Sequence, residues 1–507
     1  MDIDTVDNEP SSTIPFISIY DVLLLICEEL ERCSATPKVD LISASFVCKA
    51  FLEPAMTVLW RTMSTLLPLL KVIPNFTEGE VNDIVGPISL EALDKFSSYA
   101  RRIRQLHNLR ITPVNPMAWF FLSQSHTGPL LPGLKSLRFD VPKQNLPDFR
   151  WIFTLASPSL VSIHMSKIET FTEKSASQLL QILINKAPFI LDLFFSGFVS
   201  STLLNLLGHS QTIKSVQLFP YRNPDFHLSS LRALSHIPTL DTLSLALPIS
   251  ALQPIENSGE FSNLRTLSIH MSVTSARAFF KSYNLPLLSK LTLGFTPDTL
   301  PSDIDELLPH LLNDLPLLSH FGLSFWETSR GHLPDLLFPK PILHHFFDSS
   351  LRSIVVRDYV VPFEDGDPQN WYNSNLRSSL EVLLIKQSPH RQAPTLESLR
   401  TLAMTCPHLQ QLELCMDLPA EIEFPRIEAH LSRLPPLSHP LAELYIGRTN
   451  EKPLPDAIML AALVSRYVDH LFPKVEVMAG TNMDVGWCKG VNAMLRNYRN
   501  MRAARSN

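Results

Sequence analysis

The sequence predicts an α/β solenoid, with parallel strands on a concave inner face and helices outside, preceded by a small all-α module. A six-residue pattern, apolar-x-x-apolar-x-apolar, recurs along the chain, and segments with helical spacing of apolar residues separate its copies. Proline is frequent, at 41 of 507 residues, whereas glycine is scarce, at 15. This composition is typical of many short, stiff connections between elements.

The six-residue pattern occurs twelve times, and successive copies start 23 to 33 residues apart. Its fourth and sixth positions point to the same side of a strand. Because one strand and one helix cannot bury their own apolar face, neighbouring copies must stack. The copies are Leu134-Leu137-Phe139, Leu160-Ile163-Met165, Ile190-Leu193-Phe195, Ile213-Val216-Leu218, Leu240-Leu243-Leu245, Leu264-Leu267-Ile269, Leu288-Leu291-Leu293, Leu318-Phe321-Leu323, Leu351-Ile354-Val356, Leu380-Leu383-Ile385, Leu409-Leu412-Leu414 and Leu441-Leu444-Ile446.

The pattern with its following helix resembles leucine-rich repeats of the long, ribonuclease-inhibitor-like kind, over roughly residues 100 to 475. The family's usual Asn, eight positions after the first Leu, is absent from every copy; Pro142, Ile168 and Phe198 stand at the first three such positions. We therefore expect an irregular solenoid over residues 100–478, with its longest insertions near residues 324–350 and 357–379.

Residues 12–75 have a different, purely helical pattern. Apolar residues form one face of a first helix, Asp40 is placed to cap a second helix, and Pro54 fits the first turn of a third helix over Glu53–Trp60. The apolar positions are Val22, Leu23, Ile26 and Leu30 in the first helix and Leu41, Ala44, Val47 and Phe51 in the second.

The run from Asp40 to Phe51, with Glu53-Pro54 and Val58 to Arg61, resembles the second half of an F-box, most closely in large fungal F-box/leucine-rich-repeat families. Tyr99 to Leu106 resembles that family's entry into its first repeat, whereas Ser18-Ile19 stand where the family usually has Leu-Pro. The resemblance implies a substrate-recognition subunit of a Skp-cullin-F-box (SCF) ubiquitin ligase. It implies contacts with the Skp-type adaptor at Val22, Leu23, Ile26, Leu30, Leu41, Val47, Cys48 and Phe51.

Two hypotheses from different classes remain open. In the first, the N-terminal module binds the adaptor of a cullin ligase and the solenoid binds an unidentified target protein. In the second, the chain is a protein-protein interaction scaffold whose N-terminal helices only cap the solenoid, which the absent Leu-Pro pair favours. We expect no enzymatic activity, no catalytic residue, no metal site and no cofactor, because no constellation of suitable residues accompanies the repeats.

Residues between and just after the patterned positions should face the concave side. We predict target contacts there, with aromatic and Arg side chains as the main anchors. The predicted contacts are Arg138, His164, Phe194, Phe219, His270, Arg357 and Tyr445. A net charge of −6 predicts neither a nucleic-acid nor a membrane partner.

The ends of the chain complete the expected organisation: a disordered segment over residues 1–11, a connecting helix or linker over 76–99, and a tail over 479–507. The tail carries Arg496, Arg499, Arg502 and Arg505, at the spacing of a basic helical stripe for an acidic partner or RNA, or of a solvated helix. The acidic start MDIDTVDNEP lacks a secretory signal pattern, and the six cysteines form no disulfide framework. We therefore expect a cytoplasmic or nuclear protein.

Overall fold

The computed structural model describes most of the chain as helices and strands joined by short turns. The described residues are 19–107, 114–126, 128–140, 152–168, 173–197, 199–220, 228–246, 259–296, 299–325, 345–346, 349–357, 374–385, 394–419, 423–433, 435–448, 457–479 and 483–506. They belong to two compact units, residues 1–197 and 198–507.

The unit of residues 1–197 begins with three helices and continues with parallel strands and further helices. Its helices are α1 (Ile19–Cys33), α2 (Pro37–Ser45), α3 (Lys49–Arg61), α4 (Leu67–Leu70), α5 (Leu90–Ala100), α6 (Pro116–Ser125), α7 (Ile152–Leu155) and α8 (Glu173–Lys186). Its strands are β1 (Thr62–Met63), β2 (Phe76–Thr77), β3 (Asp83–Ile84), β4 (Gln105–Leu106), β5 (Ser136–Asp140), β6 (Ser162–Ile168) and β7 (Asp192–Gly197). Strands β1, β4, β5, β6 and β7 pair in that order, all parallel, and β2 pairs with β3 antiparallel.

The unit of residues 198–507 repeats the same alternation over a longer stretch. Its helices are α9 (Ser201–Gly208), α10 (Arg232–Ser235), α11 (Val273–Ser282), α12 (Pro301–Asp314), α13 (Leu376–Ser379), α14 (Leu396–Thr405), α15 (Phe424–Leu431), α16 (Ala457–Leu471) and α17 (Val485–Ser506), with a 3-10 turn at Leu228–Leu231. Its strands are β8 (Ser215–Pro220), β9 (Thr242–Ala246), β10 (Gly259–Glu260), β11 (Thr266–His270), β12 (Tyr283–Asn284), β13 (Lys290–Phe295), β14 (His320–Phe325), β15 (Ser353–Val356), β16 (Val382–Ile385), β17 (Gln411–Met416), β18 (Glu443–Arg448) and β19 (Glu476–Ala479).

In this second unit, strands β8, β9, β11 and β13 to β19 form one parallel sheet in chain order. The short strands β10 and β12 pair with each other. The predicted fold class, an α/β array of parallel strands with helices outside and a small helical module in front, is confirmed.

Every side chain of the twelve predicted triplets is buried. Within each strand the patterned residues point into the core that the helices cover, and the residues between them are more exposed, as in the alternation of β5 and β11. We call the side of each sheet that carries these intervening residues the open face. Side chains along a strand point alternately to its two faces. The three apolar positions of the six-residue pattern are therefore enough to predict which face is buried.

The turns before the strands are linked by a ladder of backbone hydrogen bonds. The carbonyl of Arg104, for example, accepts from the N–H groups of both Lys135 and Ser136, at 2.7 and 3.1 Å. The same double acceptance recurs at the carbonyls of Lys135, Val161, Lys214, Asp241, Arg265, Ser289, Ser319, Arg352, Glu381 and Gln410. Buried backbone groups in these turns are thereby satisfied without a side-chain ladder.

Polar side chains one position before the first patterned residue reinforce several of these turns. Ser159 donates to the carbonyls of Pro132 and Leu134, and Thr239 donates to the carbonyl of Ile213. Asn263 and Ser379 donate to the preceding turn in the same way. The missing asparagine of the family pattern is therefore replaced, in part, by hydroxyl and amide groups at a different position of the repeat.

The array is longer at both ends than the pattern predicts. Strand β1 pairs with β4 ahead of the first predicted copy, so residues 62–63 belong to the sheet and not to the helical module. Residues 76–99 hold β2, β3 and all but the last residue of α5. At the other end, β19 pairs with β18 after the last predicted copy. The sequence around β1 and β4 lacks part of the six-residue pattern, whereas Phe472, Val475 and Val477 before and within β19 form a complete copy to which no strand was assigned.

The predicted C-terminal tail is a 22-residue helix, α17, that packs on α16 and β19. Arg502 donates to Asp469 at 2.7 Å, and Arg499 donates to the carbonyl of Val475. The expectation of a solvated helix is therefore wrong for this face, and two of the four arginines of the predicted basic stripe serve packing within the chain. Arg496 is exposed.

Some predictions fall outside the described residues, namely the segment 1–11 and most of the insertions near 324–350 and 357–379. None of the described helices is both long and apolar enough to cross a membrane.

Candidate protein-binding surfaces

The first candidate surface belongs to the N-terminal module, which we define as α1, α2 and α3. Its core consists of Cys27, Leu41, Ala55 and Val58, each at most 2% exposed. Leu24, Leu30, Ala44, Phe51 and Leu59 pack against this core. Three helices of 9 to 15 residues thus bury a small apolar centre of their own.

The helix boundaries of the module differ from the predicted ones. Helix α2 starts at Pro37, with Thr36 as its N-cap, so Asp40 lies inside the first turn and accepts hydrogen bonds from the hydroxyls of Ser34 and Thr36. Helix α3 starts at Lys49, which places Pro54 inside the helix. The prediction that Asp40 caps α2 is wrong, because a proline three residues earlier already begins the helix.

The eight predicted adaptor contacts separate into three groups by exposure. Val22, Ile26, Val47 and Cys48 are exposed and available to a partner. Leu23, Leu30 and Phe51 are half-buried, and Leu41 is inside the core at 2% exposure. Leu41 therefore stabilises the module instead of presenting its side chain at the surface.

The structure adds exposed apolar residues that the sequence interpretation missed. They are Ile19, Leu25, Val39, Ile42, Phe46 and Leu52, and Phe46 reaches 82% exposure. Val39, Ile42 and Phe46 stand at i, i+3 and i+7, which is one face of a helix. That spacing was visible in the sequence, but the predicted start of α2 at Asp40 excluded Val39 from it.

Polar contacts fix the module in place. Arg61 at the end of α3 bridges Glu28 and Glu31 of α1, at 2.5 and 2.6 Å. Arg102, after α5, donates both to Glu53 of α3 and to the carbonyl of Ser98. The module is thereby joined to the helix that precedes β4.

An aromatic pair supports the same junction. The ring of Trp60 lies 4.6 Å from the ring of Tyr99, and the guanidinium of Arg102 lies 5.5 Å above Tyr99. Such cation–π and aromatic contacts contribute about 0.5–1.5 kcal/mol each. A module held in this way presents its outer surface in a fixed orientation relative to the first strands of its unit.

The second candidate surface is the open face of the strands in residues 1–197. Arg138, His164 and Phe194 lie side by side in register on β5, β6 and β7. The rings of His164 and Phe194 stack at 3.7 Å with an interplanar angle of 7°. Burial, and then the charge of Arg138, lower the pKa of His164, and the charge of Asp140 partly opposes them.

The third candidate surface is the open face of the strands in residues 198–507, where the other four predicted target contacts lie. Phe219 is half-buried on β8, and His270 ends β11 with its ring against Gly294. Burial lowers the pKa of His270. Arg357 follows β15, and its backbone N–H donates to the carbonyl of Leu323 at 2.8 Å.

Tyr445, on β18, completes this set. Its hydroxyl donates to Glu443 at 3.0 Å, and this hydrogen bond raises the pKa of Tyr445. The sequence therefore placed all seven predicted target residues on an open face, three in one unit and four in the other. Whether they contact a target stays a prediction.

Among the described residues, no group of three or more His, Cys, Asp or Glu side chains is arranged to hold a metal ion. Cys406 is buried, and burial raises its pKa to about 12. Its thiol is therefore protonated at neutral pH.

Comparison with known proteins adds a structural likeness. No family model and no curated protein matches the chain. A chain in the crystal structure of the Rad7 and Elc1 complex in yeast is similar at 15% identity and a TM-score of 0.34, covering 86% of this chain and 91% of that chain. At that TM-score the likeness carries no argument, and the fold assignment rests on the strand pairings and burial described above.

Proposed function

We propose that this chain is the substrate-recognition subunit of a Skp-cullin-F-box ubiquitin ligase. The N-terminal module binds the Skp-type adaptor, and the open faces of the strands bind a target protein. Ubiquitin transfer then belongs to the ligase's other subunits, which act through proximity to the bound target. This role would take place in the cytoplasm or nucleus.

The observation that carries the proposal is the exposed apolar surface of the N-terminal module. Its core is already closed by Cys27, Leu41, Ala55 and Val58. Even so, Val22 and Ile26 on α1 and Phe46 and Val47 in the turn after α2 remain exposed. A helical cap that only seals a repeat array needs a polar outer face for solubility. Exposed apolar residues on a helical module whose core is already closed are instead typical of a surface that a protein partner covers.

The test measures adaptor binding by the full chain and by a surface variant. Deletion of residues 1–75 is unsuitable, because it also removes β1. The double variant Phe46→Asp, Val47→Asp keeps the core intact and places two charges in the apolar surface. We expect at least a tenfold loss of affinity for the purified Skp-type adaptor in calorimetry, with an unchanged melting temperature.

A matched control carries the same change at exposed apolar positions outside the module. Leu90→Asp with Ile458→Asp alters side chains that are 81% and 72% exposed. This control should bind the adaptor as the unaltered chain does. Equal binding by the Phe46, Val47 variant, or no binding by the unaltered chain, rules the adaptor role out.

A second candidate function is a scaffold in which the module only caps the first strands. The contacts of Arg102 with Glu53 and of Tyr99 with Trp60 favour it, because they seat the module beside β4. In that case Glu53→Gln should lower the melting temperature of the chain, while the Phe46, Val47 variant should show no defect in any binding assay. A measurable adaptor affinity of the unaltered chain contradicts this candidate.

A further inference from the structure

The open face of residues 198–507 is ordered by charge across its strands. Register pairing places the first intervening residues of six strands in one row, and the next intervening residues in a second row. The first row is Lys290, His320, Ser353, Val382, Gln411 and Glu443. The second row is Thr292, Gly322, Val355, Leu384, Glu413 and Tyr445.

A basic groove lies at the β13 to β15 side of these rows. It has a volume of about 480 Å³, and Lys290 and His320 lie at one end of its strands and Arg357 at the other. Hydroxyl groups such as that of Thr292 also line it, and none of the described residues that line it is acidic. Gly322 keeps the floor open, since a Cβ there would lie 3.0 Å from the hydroxyl of Thr292.

An acidic patch lies at the β17 and β18 side of the same rows. Glu413 and Tyr445 are register partners, as are Gln411 and Glu443. Glu443 accepts hydrogen bonds from Tyr445 at 3.0 Å and from Gln411 at 3.2 Å. These two donors hold the carboxylate of Glu443 at the open face.

Apolar side chains separate the basic groove from the acidic patch. Val355 and Leu384 are register partners, and Val382 lies beside them, all half-buried on the open face. Strands are spaced about 4.8 Å apart, so three to four spacings from β14 to β17 and β18 span roughly 14–19 Å. An extended peptide covers that span in about four to six residues at ~3.3 Å per residue.

We infer that this face binds an extended segment of the target that carries an anionic group, then apolar residues, then a basic side chain. The anionic group lies in the groove of Lys290, His320 and Arg357, and the basic side chain pairs with Glu413 and Glu443. The inference rests on the proposed role of the open face in target binding. The anion is a carboxylate or a phosphate, because both suit Lys, Arg and hydroxyl donors.

Fluorescence anisotropy of labelled peptides with the full chain tests the inference. The probes are the peptide Asp-Glu-Val-Leu-Val-Lys-Arg and the peptide of reversed sequence. Both are used because a peptide in either chain direction can place its acidic end at the groove and its basic end at the patch. Companion peptides replace the acidic pair, the basic pair or both pairs by Ser, and one further peptide carries phosphoserine in place of Glu. We expect a charged peptide to bind at least tenfold more tightly than the peptide without charges.

Charge-reversed variants then identify the two ends. Lys290→Glu with Arg357→Glu should weaken binding of the charged peptide at least tenfold and should prefer a peptide with Lys at both ends. For the double variant Glu413→Lys, Glu443→Lys, a peptide with Glu at both ends should instead restore binding. The matched control is Lys281→Glu, an exposed charge on helix α11.

The outcomes separate this inference from the proposed function. Tighter binding of the phosphoserine peptide assigns the anion to a phosphate, and equal or weaker binding assigns it to a carboxylate. If the unaltered chain does not prefer the charged peptides, or if charge reversal changes nothing, the inference is wrong. The charge-reversed variants should bind the adaptor as tightly as the unaltered chain does. If the unaltered chain binds the peptides but does not bind the adaptor, only the proposed adaptor role is contradicted.

Discussion

The two ends of the strand array are completed by helices in different ways. At the N-terminal end, α3 runs directly into the two-residue strand β1, and the module in front leaves Ile26, Phe46 and Val47 at the surface. At the C-terminal end, α17 lies against β19 and buries Val491 and Leu495. The N-terminal end therefore has an exposed apolar surface, whereas the apolar face of α17 at the C-terminal end is already buried.

The edge strands show the same contrast in their backbone groups. Asn492 of α17 pairs with β19 as a neighbouring strand would, because its side chain accepts from the N–H of Val477 at 2.9 Å and donates to its carbonyl at 2.7 Å. Strand β1 has no need of such a partner, since an edge of two residues offers few free groups for pairing. A closed C-terminal end and an exposed apolar surface on the N-terminal module agree with the proposed binding of a partner protein by that module.

Truncation of the C-terminal core should have the largest effect. Leu495→Ala leaves a cavity beneath α17, and we expect a loss of about 2–4 kcal/mol in the free energy of unfolding of the last repeats. Hydrogen exchange over residues 457–506 and urea denaturation measure it. Met501→Ala, on the same helix at 50% exposure, should stay within about 0.5 kcal/mol; equal losses would show that α17 does not seal this end.

Loss of the edge pairing should have the next largest effect. Asn492→Leu leaves the N–H and carbonyl of Val477 without these partners, which costs about 1–3 kcal/mol. The exposed edge should also pair between molecules, so light scattering should show concentration-dependent self-association. Asn497→Leu, on an exposed part of the same helix, is the control and should remain as the unaltered chain.

Mild acid should loosen the C-terminal repeats before the N-terminal module. His439 is 7% exposed; its Nε2 donates to the carbonyl of Cys406 at 2.8 Å and its Nδ1 accepts from the N–H of Leu441, so the ring is neutral. Burial lowers the pKa of His439 below its unfolded value of about 6.5. Below that pH the unfolded chain therefore binds more protons than the folded chain. The contribution of His439 to the free energy of unfolding is complete above a pH of about 6.5 and decreases as the pH falls below it.

Hydrogen exchange at pH 7 and pH 5 measures this difference. Protection near residues 406 and 441 should fall at the lower pH, while residues 19–62, which contain no histidine, should keep theirs. His439→Gln retains a donor for the carbonyl of Cys406 without a titrating ring, so it should remove this pH dependence. Persistence of the effect in that variant would assign it to another group.

Substitution of an exposed apolar residue in the module should have the smallest effect on stability. Phe46→Ser removes a side chain that is 82% exposed, so the free energy of unfolding should change by less than about 0.5 kcal/mol. The isolated chain should become more soluble, as measured by precipitation with ammonium sulfate. Leu41→Ala, in the module core, should instead cost about 2–4 kcal/mol, and a similar loss for Phe46→Ser would mean that its ring is not free.

Much of the fold and part of the candidate sites followed from the sequence. The triplets ending at Phe139, Ile269 and Ile446 placed strands and buried faces correctly, because the side-chain period of a strand is local. Strand β1 lies ahead of the predicted solenoid, because an incomplete pattern in the sequence can still pair with an established neighbour. Strand β4 and most of β19 lie within the predicted range of residues 100–478, although no triplet was assigned to either. The boundaries of α2 were missed because Pro37 and Asp40 both carry start signals.

The sequence by itself determined the repeat, the inward residues and the side of the strands on which Arg138, His270 and Tyr445 lie. Tertiary structure decided which module residues remain exposed, since Leu41 and Val47 are both apolar and only helix packing buries Leu41. It also decided that Arg499 and Arg502 anchor α17, and that the charges of the open face sort into a basic groove and an acidic patch. Such properties depend on contacts between residues tens of positions apart, and a local pattern does not record them.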